Sequence, residues 1–345
     1  MNVLGIESSC DETSVSILSD GIIKANLISS QDFHSKYGGV VPELSSRAHL
    51  QIIVPLLRQA LAKASLALKD IDLICATAGP GLIGALLVGL TFAKGLAYAL
   101  NKPFVPVNHI EGHIYSGFLM ENKPNFPMLA LVVSGGHTLL LKVDSFTRIT
   151  KLGETADDAA GEAFDKVAKM LGLPYPGGPA IQRLSEKCKN PTIKFPVAEI
   201  SSNKFDFSFS GLKTSVLRHI QKTKSEFGSM SQEEIENIAA SFQLSVVKSL
   251  HKSIQRALDQ FEFNSISLVG GVAANNAIRQ MIIDISSQYK KQVVIPDLEF
   301  CGDNAAMIAQ RGFQLHNSGK VYSLEFNAYP SLSENYFNSI SKEND

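Results

Sequence analysis

Val3-Leu4-Gly5-Ile6-Glu7-Ser8-Ser9-Cys10-Asp11-Glu12-Thr13-Ser14-Val15-Ser16-Ile17-Leu18 sets two apolar runs on either side of a small polar stretch. That pattern predicts two strands joined by a turn with Asp11 and Glu12 at its tip. The same order returns from Leu129 to Val143, where the turn reads Ser134-Gly135-Gly136-His137-Thr138. Each hairpin is followed by strand and helix units. Two such series indicate a duplicated, two-lobed α/β fold.

Working outward from the first hairpin, Gln31 to Gly39 reads as a loop. The spacing of Leu44, Ala48, Ile52, Leu56 and Leu57 predicts a helix over Pro42 to Lys63. Asp72 to Thr77 is a short apolar strand, Gly79-Pro80-Gly81 a tight turn, Leu82 to Leu100 a helix and Pro103 to Val107 another strand. Beyond the second hairpin, Ala163, Val167 and Met170 mark one side of a helix with an acidic start, and Phe205 to Lys213 reads as a strand or extended loop. Ser231 to Phe261 is helical, Ser265 to Val269 a strand, Ala277 to Ile285 a helix, Val293 to Pro296 a strand and Ala305 to Phe313 a helix. Past Asn317 the chain is polar with scattered aromatics and is expected to be peripheral. The expected division is an N-terminal lobe over 1–108 with about 309–330 returning to it, a C-terminal lobe over 109–308, and a polar tail over 331–345.

The 345 residues are 45% hydrophobic and 19% charged, enough for two domains with substantial cores and unlike a disordered chain. Thirty-two Lys and Arg face 33 Asp and Glu, so any nucleic acid would have to meet a local basic face or one completed by a partner. Cys10, Cys75, Cys188 and Cys301 form no Cys-x-x-Cys pair, which fits a reducing, cytoplasmic setting and argues against a thiolate zinc knuckle. Met1 to Cys10 has no basic segment before an apolar one and does not read as a secretory signal. Ile74 to Ala93 carries no charge, but Gly79-Pro80-Gly81 breaks it, and the remainder up to Lys94 falls short of the roughly 20 residues a spanning helix needs. It reads as strand, turn and core helix, and no membrane partner is expected.

Four features can carry chemistry. In Asn108-His109-Ile110-Glu111-Gly112-His113, two histidines four apart share one face of a helix, where they either converge on a metal or are satisfied as ordinary polar residues. Ser134-Gly135-Gly136 either offers bare backbone N–H groups to an anion or is a plain turn. Gly270-Gly271-Val272-Ala273-Ala274-Asn275-Asn276 lies between a strand and a helix, a place suited to phosphates. In Cys301-Gly302-Asp303-Asn304, Asp303 is a third metal ligand or, like Asn304, a helix cap.

Lys94-Gly95, Leu100-Asn101, Pro103, Val105, His109 and Gly112-His113-Ile114 resemble the signature of a family once described as O-sialoglycoprotein endopeptidases and now understood as tRNA N6-adenosine threonylcarbamoyltransferases of the bacterial TsaD type. The resemblance covers nearly the whole chain. It extends in order through Glu7 to Thr13, Ser134 to Thr138, Asp157 to Lys166, Ser208 to Lys213 and Gly270 to Asn275.

The resemblance implies a two-lobed actin/Hsp70-like ATPase-type fold with duplicated RNase H-like cores and a nucleotide cleft. It implies transfer of the threonylcarbamoyl group from threonylcarbamoyl-adenylate to N6 of the adenosine 3′ of the anticodon, in tRNAs reading codons that begin with A, releasing AMP. His109, His113 and Asp303 would hold one iron(II) or zinc ion. Val132, Val133, Ser134, Gly135 and Gly136, with Asp165, Gly178 and Asn275, would line the acyl-adenylate. Many relatives have an acidic residue where this chain has Gln182, so that position is left out of the site. Partners implied are tRNA, a paralogous TsaB-like subunit and a small TsaE-like ATPase. An acyl-adenylate already has a good leaving group, so the protein mainly orients reactants and stabilises charge. Asp11 or Glu12 is the candidate group near the attacking amine. Two other readings compete: a metalloprotease, and an ATP-dependent scaffold without RNA chemistry. Zinc proteases place Glu directly after the first His, whereas here Ile110 holds that place and Glu111 points about 200° round the helix.

Overall fold

Hydrophobic strands with small polar turns assemble into two five-stranded sheets in the computed structural model, which describes residues 1–337 other than 38, 199, 201, 202, 334 and 335. Among the described residues one compact unit comprises Met1–Lys123 together with Pro296–Phe337, and the other is Pro124–Ile295.

The first unit runs β1 (Asn2–Glu7), β2 (Glu12–Ser19), β3 (Ile22–Ser30), α1 (Pro42–Ala64), β4 (Leu73–Gly79), α2 (Ile83–Leu100), β5 (Phe104–Asn108) and α3 (His109–Tyr115). The second contains β6 (Met128–Val133), β7 (Thr138–Val143), β8 (Ile149–Glu154), α4 (Ala160–Met170), α5 (Gly177–Ser185), α6 (Ser210–Phe227), α7 (Gln232–Gln260), β9 (Ser265–Val269), α8 (Asn276–Gln288) and β10 (Gln292–Val294). The chain then returns to the first unit with α9 (Leu298–Cys301) and α10 (Ala305–Asn317).

The sheet orders are β3-β2-β1-β4-β5 and β8-β7-β6-β9-β10. In each, the first strand pairs antiparallel with the second and parallel with a later one, β4 or β9. The duplication expected from the two hairpins is therefore present strand for strand. Both central strands are buried on both faces, which is why they read as nearly unbroken apolar runs.

Several elements differ from expectation. Strands β3 and β8 had no strand assigned. Both are sheet edges joined to their neighbours through register shifts, at Ile17/Leu18 and Leu140/Leu141, that blur a simple alternation. The segment Phe205 to Lys213 is not a strand: Phe207 makes a single bridge to Thr155 and a helix starts at Ser210. The Asp157 carboxylate receives the N–H groups of Phe209 at 2.8 Å and Ser210 at 3.2 Å, capping α6 from a distant part of the chain. Helix α2, Ile83–Leu100, matches the helix expected over Leu82 to Leu100. Among the described residues it is the one helix long and apolar enough to cross a membrane, yet Ala85, Leu86, Leu90, Ala93 and Ala97 are buried in the core of its unit.

The expected boundaries at 108/109 and 308/309 move to 123/124 and 295/296. The histidine helix belongs with the first sheet because it packs on α10: a Cβ on Gly112 would lie 2.9 Å from Ile308 Cδ1. Helix α10 in turn lies on β1, where a Cβ on Gly5 would collide with the Ala305 carbonyl. Nor is the chain past Asn317 merely peripheral. Tyr329 donates its N–H to the Ala78 carbonyl at 2.9 Å, and Tyr336 reaches Glu111. Of the expected polar tail, 338–345 lies outside the described residues.

Candidate functional site

In the first unit the site starts from a cap. Asn108 ends β5 and its side chain accepts the Glu111 N–H at 3.0 Å, so the strand turns directly into α3. All seven residues of α3 are buried. The rings of His109 and His113 meet edge to face with centroids 4.7 Å apart. Asn304, not Asp303, caps α10, accepting the Met307 N–H at 3.0 Å. This leaves the Asp303 carboxylate facing the imidazoles, with Oδ1 3.1 Å from Nε2 of His113 and 3.5 Å from Nε2 of His109. One donor atom from each of the three residues lies within 4.8 Å of the others.

Two nitrogens and one carboxylate oxygen form a donor set suited to iron or zinc. The electrostatics agree. Burial disfavours the charged form of His109, but Asp303 and Glu7 overcome it and hold its pKa up to about 9. Burial, then Asp303 and Asp11, pushes the Glu12 carboxyl up to about 9. Carboxylates crowd one another here, and a divalent cation between the imidazoles and Asp303 would offset that repulsion.

Glu111 has a different task. Its carboxylate accepts from Arg311 Nε at 2.7 Å and lies 2.6 Å from Nη2 of the same guanidinium, with side-chain exposures of 4% and 3%. The Tyr336 hydroxyl donates to its other oxygen at 3.0 Å. Tyr115 stacks under the guanidinium at 4.2 Å, and Asn108 Nδ2 donates to the Tyr329 hydroxyl at 2.9 Å. Glu111 thus anchors the back of α3 and cannot serve the metalloprotease reading as general base.

The turn between β1 and β2 is held from α1. Thr13 Oγ1 lies 2.7 Å from His49 Nδ1, the Cys10 carbonyl is 3.0 Å from His49 Nε2, and the Ser45 hydroxyl also donates to that carbonyl. Asp11 and Glu12 are half-buried beside it.

In the second unit the β6–β7 turn is closed on itself by Ser134 N–H to the His137 carbonyl at 2.8 Å. Gly135 and Gly136 are exposed, and a Cβ on either would meet nothing within 4 Å, so their backbone is open to a ligand. The turn is pinned to the start of α4, where Gly161 donates to the Ser134 carbonyl at 3.2 Å and a Cβ would strike Ser134 and Gly135 backbone. Gly270, at φ 93°, presses against Val133 backbone, bringing the third glycine turn to the same end of the sheet. Asp165 accepts the Gly177 N–H at 2.7 Å, fixing the start of α5 next to half-exposed Gly178.

Three candidate residues take other positions. Val132 and Val133 are wholly buried in β6, so the accessible part of that stretch begins at Ser134. Asn275 caps α8 through Oδ1 and donates Nδ2 to Gln243 at 2.8 Å, so both ends of its amide are engaged. Gln182 accepts the Asn276 N–H at 2.9 Å, a contact an acidic side chain could also make. Sequence reasoning assigned no role to Glu7, His49, Arg311, Tyr329 or Tyr336. The one available signal was Glu7, a carboxylate ending an otherwise apolar strand.

Paired five-stranded sheets of this order, in one unit beside a His-His-Asp cluster and in the other ending in an open glycine turn, define an α/β protein of the actin/Hsp70-like ATPase-fold class. Solved structures share the fold: HypF from T. kodakarensis (17% identity, TM-score 0.64, covering 92% of this chain and 48% of that one), and the activator of the 2-hydroxyisocaproyl-CoA dehydratase from Clostridium difficile with bound ADPNP (17% identity, TM-score 0.53, 94% and 100%). Residues 21–310 match the family described as TsaD, tRNA N6-adenosine threonylcarbamoyltransferase, and the chain belongs to that family of transferases. Relatives of that name from Carboxydothermus hydrogenoformans and Kosmotoga olearia are 50% identical over 332 residues and 48% identical over 334, each covering 96% of this chain and 97% and 99% of their own length.

Proposed function

We propose that this protein transfers the threonylcarbamoyl group of threonylcarbamoyl-adenylate to N6 of the adenosine 3′ of the anticodon. The N6 nitrogen bonds to the carbamoyl carbon, the bond from that carbon to the phosphate oxygen breaks, and AMP leaves while N6 gives up one proton. The observation that carries this reading, given the family, is the convergence of His109, His113 and Asp303 to within 4.8 Å.

His109, His113 and Asp303 would hold one divalent cation, iron(II) or zinc. Bound there, it would supply Lewis-acid stabilisation of developing negative charge. The exposed backbone of Gly135 and Gly136 would receive phosphate oxygens, with Ser134, Asp165 and Gly178 shaping the adenylate site. Asp11 or Glu12, on the turn held by His49, would stand near the attacking amine.

The apolar groove between α1 and α2, lined by Leu50, Ile53, Val54, Leu87, Phe92 and Leu96, would seat a paralogous subunit in a cytoplasmic assembly that also uses a small ATPase. Leu50 and Leu87 are 65% and 49% exposed there, more than isolated surface leucines need. Nearly balanced charge gives a reason for such help, because sequence-independent RNA affinity grows with the phosphates a protein neutralises. The direct experiment supplies purified protein with labelled acyl-adenylate and tRNA, with and without the partner proteins. Label in tRNA at the expected adenosine supports the proposal. Label that never enters RNA in the complete mixture, together with ATP turnover, would favour the scaffold reading.

A further inference from the structure

Glu7 is the most deeply buried carboxylate beside the triad, fully shielded at the end of β1, and nothing in the transfer chemistry above uses it. Its oxygens are fully engaged. One accepts the Ser9 N–H at 2.5 Å; the other accepts the Thr77 hydroxyl and lies 3.2 Å from Nδ1 of His109. A buried carboxylate is costly unless paired and hydrogen-bonded, and among the described residues its ionic partner is that imidazole.

Ser9 Oγ also lies 3.2 Å from His109 Nδ1. A hydroxyl is ambivalent: by donating to Nδ1 it would favour the ring with its proton on Nε2, and by accepting it would favour the opposite tautomer. An ionised carboxylate can only accept. Glu7 therefore decides the matter, holding a proton on Nδ1, so that Nε2, which faces Asp303, is the nitrogen that gives up its proton when a cation binds. His113 differs, since its Nδ1 is buried without a hydrogen-bond partner among the described residues.

From this arrangement we infer that Glu7 is a positioning residue for the metal centre: its carboxylate fixes the tautomer and orientation of His109 so that Nε2 is ready to bind the cation. Outer-shell carboxylates of this kind raise the basicity of the ligand imidazole, and their loss lowers metal affinity about 10- to 100-fold. The inference rests on the metal reading proposed above. Glu7 acts through His109 and makes no contact with substrate.

The test measures zinc affinity of the full chain by competition with a chromophoric chelator, for the unaltered protein, His113→Ala and Glu7→Gln, with circular dichroism as a folding control. The amide of Glu7→Gln can turn its NH2 towards Nδ1 and support the wrong tautomer. The expected order is tight stoichiometric zinc for the unaltered protein, binding about 10- to 100-fold weaker for Glu7→Gln, and the greatest loss for His113→Ala. Glu7→Gln binding zinc as tightly as the unaltered protein, while His113→Ala does not, overturns this inference and leaves the metal reading standing. An unaltered protein that takes up no stoichiometric zinc overturns both. Should Glu7→Gln fail to fold, 15N-histidine NMR of the unaltered zinc-loaded protein decides, with His109 assigned by difference from His109→Asn. A proton on Nδ1 and zinc on Nε2 supports the inference, and the reverse arrangement overturns it.

Discussion

The β1–β2 turn and the β6–β7 turn occupy the same place in sheets of the same strand order, yet they present opposite kinds of group. The first carries Glu7, Asp11 and Glu12 and is clamped by His49 and Ser45 from α1. The second carries Gly135 and Gly136 with open space above their backbone, and is pinned to the start of α4. Carboxylates gather cations and bare N–H groups gather anions. Strand order thus decides where a turn lies, and a handful of residue types within it decides what it binds.

The largest effect expected on this contrast comes from the cation side alone. The double substitution His109→Ala and His113→Ala should abolish transfer and leave the protein without stoichiometric metal by elemental analysis, while nucleotide affinity stays close to normal. Retained metal would remove the acidic turn from the comparison. Next, Arg311→Met strands the buried Glu111 carboxylate and should cost about 3–5 kcal/mol in urea unfolding. That loss should be confined to the first unit, which hydrogen exchange can resolve. Third, Gly135→Val adds bulk on the open side of the glycine turn, where a Cβ would meet nothing within 4 Å. Calorimetry should show nucleotide binding weakened by at least about tenfold, or about 1.4 kcal/mol, with metal content and melting temperature unchanged.

The smallest effect concerns acid. Burial holds the His49 pKa below its ordinary value, outweighing the Cys10 carbonyl, Glu7 and Asp11, which favour the charged ring; His34 reinforces burial. The unfolded chain therefore binds this proton first. The associated stability is present above about pH 6.5 and is lost as pH falls through that value, by no more than about 1.4 kcal/mol per pH unit. Denaturation midpoints at pH 7.5 and 5.5 should differ less in His49→Gln than in the unaltered protein. An equal difference would mean that the acidic turn is not held by a neutral imidazole.

Much of this was legible in the sequence because it rests on local pattern. The paired hairpins, the helix over Pro42 to Ala64 and the i, i+4 histidines depend on periodicity and spacing, which any window of the chain displays. What escaped depends on contacts between distant residues. No local signal tells that Asp157 caps a helix beginning at Ser210, or that Tyr336 ends its course on Glu111. The same holds for Asn275, whose cap and bond to Gln243 appear only once α7 lies beside α8. Asp303 was an open choice between cap and ligand until Asn304 was seen to take the cap.

The histidine helix also imposes an order of events during synthesis. His113 and Asp303 are 190 residues apart, and the whole of the second unit is translated between them. A nascent chain stalled after β10 would hold both imidazoles without the Asp303 carboxylate that bridges them. Tyr336 can brace Glu111 only after the ribosome has moved past it. Any cation held by the three residues would therefore be loaded late in biogenesis, and a prematurely terminated product would retain the glycine turn while lacking the third donor of the proposed set.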